Sequence, residues 1–241
     1  MQPKPVLAGF AGRKALFDVE AYPNYILLTF HDVDTEITTK FRLDPDNDTD
    51  DRKAAEAYYR SLAVAIGYNS HGYDDHILDV VFKGVDCFDV WEHGDQIIGS
   101  GGRRRSPFLD RQGDAKAGFP LSLDLAALLT AKVGESKDGK PKFSFPSLKS
   151  LGNRFGYKHL QTLPIKPGTI LIEEQKRAID AYNVHDIAIT RLVLGICSSR
   201  LNDRFAVQDG TNCPIRIGTP SCCGANDGSN ASEQIGSPLG T

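Results

Sequence analysis

Four carboxylates, spread along the chain in a fixed order, restrict the fold of this 241-residue chain more than any other feature. They come in three short patterns in a set order: Asp18-Val19-Glu20, then Asn69-Ser70-His71-Gly72-Tyr73-Asp74, then Tyr182-Asn183-Val184-His185-Asp186. Lys14 to Phe17 reads as the end of a buried strand, so Asp18 and Glu20, two apart, point to the same side of it. The run 63–68 reads as an inner strand opening a helix through Ile77, Leu78, Val80, Val81 and Phe82, which puts Asp74 in a first helical turn beside a strand end. The third pattern lies inside a helix predicted from about Glu173 to Arg200, where Ala178, Ala181, Tyr182, Ile189, Leu192 and Ile196 are compatible with one buried face. Tyr182 and Asp186, four apart, sit one above the other on it.

Singly, each pattern is more often structural: a strand leaving the core, or a same-face pair on a helix. Jointly they supply four carboxylates and a phenol on elements that can bring them together. Carboxylates gathered on one point repel one another, and a fold keeps such a set when divalent cations neutralise it or protons are shared. The residues alone therefore point to a two-metal site for phosphoryl chemistry.

The set resembles the three exonuclease motifs of the DEDD superfamily of 3′-to-5′ proofreading exonucleases, and Tyr182-x3-Asp186 resembles its tyrosine subclass. The second pattern is similar to the Asn-x-x-x-Tyr/Phe-Asp form of proofreading domains in replicative polymerases, especially viral and phage-type ones. The likeness runs from about Ala15 to Gly195, and includes Pro146-Ser147-Leu148-Lys149-Ser150-Leu151-Gly152, which resembles the helix such nucleases carry between their second and third motifs. What it implies is a ribonuclease H-like α/β fold, with a mixed central sheet and helices on both faces. It also implies two divalent cations, Mg²⁺ or Mn²⁺, as oxygen ligands favour. By that resemblance Asp18, Glu20 and Asp186 would bind the first ion, and Asp18 would bridge to a second held through water by Asp74. Tyr182 would orient the attacking water, Glu20 would also meet the terminal 3′-hydroxyl, and a nucleoside 5′-monophosphate would leave. Asp75 rivals Asp74 as fourth ligand; Asp74 is preferred because it follows the aromatic Tyr73.

The expected partner is a single-stranded or frayed DNA 3′ end, with RNA as the alternative within the enzyme class, since selectivity rests on contacts at the 2′ position. A DNA polymerase subunit or domain is a second expected partner, and a non-catalytic module that binds ends or tethers a polymerase is the rival from another class. The net charge of −3 is no nucleic-acid signal, so only the substrate path need be positive. Asn69, Lys149 and the run Arg103-Arg104-Arg105 are the candidate contacts, the arginines reading equally as a solvated loop tip. Lys149, Arg154, Lys158 and His159 form a second basic cluster. Bases stacking on Tyr22, Phe30 or Tyr73 compete with core or wall roles for those rings.

With 40% hydrophobic and 24% charged residues the composition is that of an ordinary globular protein. Residues 14–20, 25–31 and 36–43 read as a strand meander, followed by a helix from Lys53 to Leu62. The segment Asp86 to Val90 reads as helix or strand, and two polar stretches, Glu92 to Phe119 and Gly134 to Pro146, read as loops, the first long enough to close over a substrate. The acidic run Asp44 to Asp51 is not a calcium loop, since Thr49 and Ala55 stand where Gly and Glu are required. It reads as a solvated turn with Asp50 or Asp51 capping the next helix. Residues 1–201 are expected to form the domain and 202–241, rich in Gly, Ser and Cys, a poorly structured tail. Five cysteines, an odd number set late in a chain without an apolar leader or span, predict reduced thiols in a cytoplasm and no membrane contact.

Overall fold

A computed structural model describes Leu7 and residues 11–100, 104–135, 138–139 and 141–211. Arg103 and the tail beyond residue 211 lie outside them, as do Cys213, Cys222 and Cys223.

The alternation of β1 (Lys14–Tyr22) divides the molecule. Ala15, Phe17 and Val19 enter one core and Leu16 enters the opposite one, so Asp18 and Glu20 share the side of Leu16. β2 (Tyr25–Asp32) pairs antiparallel with β1, placing Asp18 opposite Thr29, and β3 (Thr38–Asp44) and the short β4 (Thr49–Asp50) continue the meander. β5 (Val64–Gly67) and β6 (Leu121–Asp124) add in parallel on the other side of β1. The six-stranded order is β4-β3-β2-β1-β5-β6, a mixed sheet in an α/β fold.

Helices cover both faces. The core on the Phe17 side is filled from α1 (Arg52–Arg60), α2 (Asp74–Phe82) and α3 (Cys87–Ser100), with Tyr59, Ile77, Leu78, Val81, Val90 and Ile97 all buried. The Leu16 side is filled from the short α4 (Leu125–Leu128), from α5 (Leu148–Arg154) and from the long α6 (Glu173–Thr211). α6 continues past the boundary expected at residue 201.

Its buried stripe includes Ile179, Tyr182, Asn183, Ile187, Ile189, Thr190, Val193, Leu194 and Cys197, so Tyr182 and Ile189 are buried as expected, whereas Ala181 and Ile196 face outward. The expected face was rotated because two polar residues, Asn183 and Thr190, lie inside it. The stretch expected as a loop from Glu92 is helix to Ser100: Val90, Gly94 and Ile97 recur at helical spacing, and Gly94 lets Tyr73 approach so closely that a Cβ there would sit 2.8 Å from its hydroxyl. Phe108 beyond it is core, 1% exposed. The second expected loop is an antiparallel ribbon of β7 (Ala131–Glu135) and β8 (Pro141–Ser144), separate from the main sheet.

The acidic turn is solvated from Pro45 to Asp48 and Asp51 stands at the N-cap position of α1, as expected, though without a side-chain cap bond. Asp44 is buried against the Lys176 ammonium at 2.6 Å, and Asp51 accepts from Arg42 N rather than from its own helix, while Asp50 accepts from Arg52 N. Tyr22 and Phe30 are core; Tyr73 is half-buried. Cys87 and Cys197 are both buried. Among the described residues no helix is long and apolar enough to cross a membrane.

Candidate active site

The β1–β5 pairing ends with Leu16 opposite Ile66, so Asp18 and Glu20 lie just past the carboxyl end of β5, and β5 and β6 end together with Gly67 opposite Asp124. β1 is the strand from which the sheet grows antiparallel one way and parallel the other. Open α/β sheets leave a crevice at such a point, beyond the carboxyl ends of their parallel strands. Here it is a cleft of about 860 Å³ that includes Asp18, Glu20, Asp74 and Asp186 in its lining.

The four carboxylates arrive on three supports. Asp18 and Glu20 ride on β1, Asp74 opens α2, and Asp186 comes from α6 across the sheet. Asn183, one turn before Asp186, donates Nδ2 to Asp18 Oδ2 at 2.6 Å and so ties the helix to the strand. Asp74 accepts from Val19 N at 3.2 Å, tying α2 to the same strand. Tyr182, buried, hydrogen-bonds through its hydroxyl to Asp186, and the Lys149 ammonium of α5 stands 5.0 Å from the centre of its ring.

Burial and crowding act together on the four acids. Burial raises the Asp18 carboxyl well above the usual carboxylate range, and the charges of Asp74, Glu20 and Asp186 add to it. Glu20 is raised to about 8 by burial and then by Asp186 and Asp74, with Asn183 and Lys149 opposing. Asp74 is raised to about 8 by burial and then by its neighbour Asp75. Asp186 is raised by burial against the pull of Tyr182, Lys149 and His185. The phenol of Tyr182 is pushed up by burial and by Asp186, and stays protonated.

The four carboxylates share a cleft without meeting at one point. Among the described residues no three Asp, Glu, His or Cys side chains are set to hold a single ion. The hydrogen bonds explain it: Asp18 is turned to Asn183 and Asp74 to the β1 backbone. The donor set itself fits a hard cation, since it is all carboxylate, mutually repelling, with the half-buried Lys149 as a nearby positive charge.

The other expected residues divide. Asn69 lines the cleft, in a left-handed backbone conformation with φ of 59°. Arg104 also lines it, exposed, with its guanidinium on Ser100 Oγ; Arg105 is exposed and not part of the lining. Arg154, Lys158 and His159 are exposed on and beyond the end of α5. Asp75 turns away, fully buried, and accepts from Ser122 Oγ at 2.7 Å.

Two residues were missed. Asn183 stood inside the third pattern as a spacer, and Asp124 closes an apolar run, Leu121 to Leu123, just as Asp18 does. Asp124 joins the cleft as a fifth acid, 4% exposed. Compared with protein-family models, with curated proteins and with solved structures, the chain matches none.

Proposed function

We propose that this protein is a metal-dependent 3′-to-5′ exonuclease that removes nucleoside 5′-monophosphates from DNA 3′ ends, built on a ribonuclease H-like sheet. One observation carries the reading: Asp18, Glu20, Asp74 and Asp186, from three separate stretches of chain, line one cleft at the carboxyl ends of the parallel strands, with Tyr182 hydrogen-bonded to Asp186. The fold agrees, since a meander of antiparallel strands joined to parallel ones, with helices on both faces, is the arrangement the resemblance implies.

Asp18, Glu20, Asp74 and Asp186 are the residues that would hold Mg²⁺ or Mn²⁺, and bound ions supply an acidified water and charge relief at the leaving 3′ oxygen. The chain's own contribution is positional. Asn183 fixes the rotamer of Asp18, and Val19 N fixes Asp74. Tyr182, protonated and backed by Lys149, offers a hydroxyl that can hold a water at Asp186. Arg104 and Asn69 line the same cleft and are the proposed contacts for a phosphate backbone.

The spread of the carboxylates is the observation that favours the other reading, a non-catalytic module that binds nucleic acid ends or tethers a polymerase. One experiment separates them. A 5′-labelled single-stranded DNA and an RNA of the same sequence are incubated with Mg²⁺, Mn²⁺ or EDTA, beside an Asp18→Ala control. A metal-dependent ladder shortening from the 3′ end and absent in the control is expected. End binding without cleavage of either polymer would select the module.

A further inference from the structure

We infer that Asp124 is a positioning residue of this cleft, whose carboxylate holds in place the turn that delivers Asp74; the inference rests on the nuclease reading for its kinetic part alone.

Asp124 ends β6 opposite Gly67, the last residue of β5, so the two strands finish side by side. Its Oδ1 accepts from Asn69 N at 2.7 Å and from Ala126 N at 2.9 Å, and its carboxylate also takes the backbone N–H of His71. One buried side chain thus caps α4 and holds the Asn69–His71 turn. That turn folds tightly back on the end of β5, since a Cβ at Gly67 would fall 2.4 Å from that of Ser70. It also passes through a left-handed conformation at Asn69, a region that asparagine adopts more readily than other non-glycine residues. No side-chain bond from Asn69 itself caps the turn.

Three residues after His71 the chain reaches Asp74, whose carboxylate is held by Val19 N on β1 and by its own backbone N–H at the start of α2. A turn released at Asn69 and His71 would let the start of α2 shift along the strand. The carboxylate that must face Asp18 and Glu20 would move with it, and a misplacement of about 1 Å in a reacting geometry costs about 10²-fold in rate. Asp124 lines the cleft and its charge also bears on Asp74, but the backbone groups it holds are those of the turn and of α4, so positioning and charge are the two effects to be separated. Its sequence signal is a carboxylate closing the run Leu121-Ser122-Leu123 ahead of a helical stretch.

The pair Asp124→Ala and Asp124→Asn tests this. Alanine removes every acceptor. Asparagine keeps an oxygen for Asn69 N and Ala126 N while losing the charge and presenting an amide to His71 N. The expected result for alanine is a fall in kcat of about 10²-fold with KM moved less than about threefold, and for asparagine a return to within about tenfold of the wild type. Amide hydrogen exchange of residues 69–74, read without any substrate, should accelerate in the alanine variant and less so in the asparagine one.

Equal loss in both variants would mean that the charge acts directly and would overturn positioning, as would unchanged exchange at residues 69–74 in the alanine variant. A wild-type protein inert on every polymer would sink the nuclease reading instead, and the exchange data would still decide for or against the role of Asp124.

Discussion

Near its start and one to three turns further on, α6 gathers acids in opposite ways. Near its first turn Asp44, Asp46 and Glu173 surround one ammonium, that of Lys176, at 2.6, 3.0 and 2.9 Å. The Lys176 ammonium is raised above its usual range, and hydrogen bonds to it hold Asp46 and Glu173 below theirs. At Asp186 the helix shares a cleft with Asp18, Glu20 and Asp74, whose carboxyls are all raised by burial and by nearby acids. The first cluster contains its own cation and is a joint between helix and sheet. The second is under-supplied with positive charge, at a stability cost that a structural joint would have no reason to bear. Perturbed acids of that kind in a cleft are what make it the candidate functional site.

The sharpest way to break the contrast is to remove acids from each cluster. Asp18→Ala and Asp186→Ala should each cut turnover by about 10³-fold or more while the melting temperature holds or rises, because a like charge leaves a crowded site. Near wild-type turnover in either would end the site assignment. At the other cluster, Lys176→Ala strands the buried Asp44 and should cost about 3–5 kcal/mol in chemical denaturation. A cost under about 1 kcal/mol would place that cluster among surface pairs of little consequence.

The two clusters also differ in how readable they were. The cleft was legible because its residues come from short local patterns, two beside strand ends and one at helical spacing: Asp18, Glu20, Asp74, Tyr182 and Asp186 all line it or pack at it. The strand meander was legible for the same reason, as period-two alternation is local. Partners from afar were not. Nothing in the run Asp44 to Asp51 announces Lys176, 132 residues on, and nothing about Asn183 announces that it binds Asp18, 165 residues back. Polar residues inside a buried helix face also misled the periodicity of α6. Composition misled at Glu92 to Ser100, where glycines and acids obscured the helical spacing of Val90, Gly94 and Ile97.

Proton linkage sharpens the contrast by sign. Glu20 has a folded value of about 8, well above that of an exposed glutamate. Its folded form therefore binds the proton more tightly, and the stability this contributes is full below about pH 4.3, the unfolded value, and is lost as pH rises towards 8. In EDTA the wild type should lose melting temperature between pH 5 and pH 8 relative to Glu20→Gln, and Mg²⁺ should shrink the gap. A gap of the opposite sign would show that Glu20 is ionised in the folded protein without help.

The smallest effect concerns the cleft's rim. If the under-supplied cluster faces a polyanion, some positive charge should lie on the approach rather than among the acids, and Arg104 is in the lining while Arg105 is not. Both are exposed, so each is screened by salt and neither is needed by the fold. Arg104→Glu should weaken binding of single-stranded DNA severalfold at low salt and lower the slope of log affinity against log salt by about one, as loss of one phosphate contact does. Arg105→Glu should do so less. Equal slopes for the wild type and both variants would remove this segment from the substrate path, and leave Lys149 beside Tyr182 as the positive charge nearest the cleft's acids.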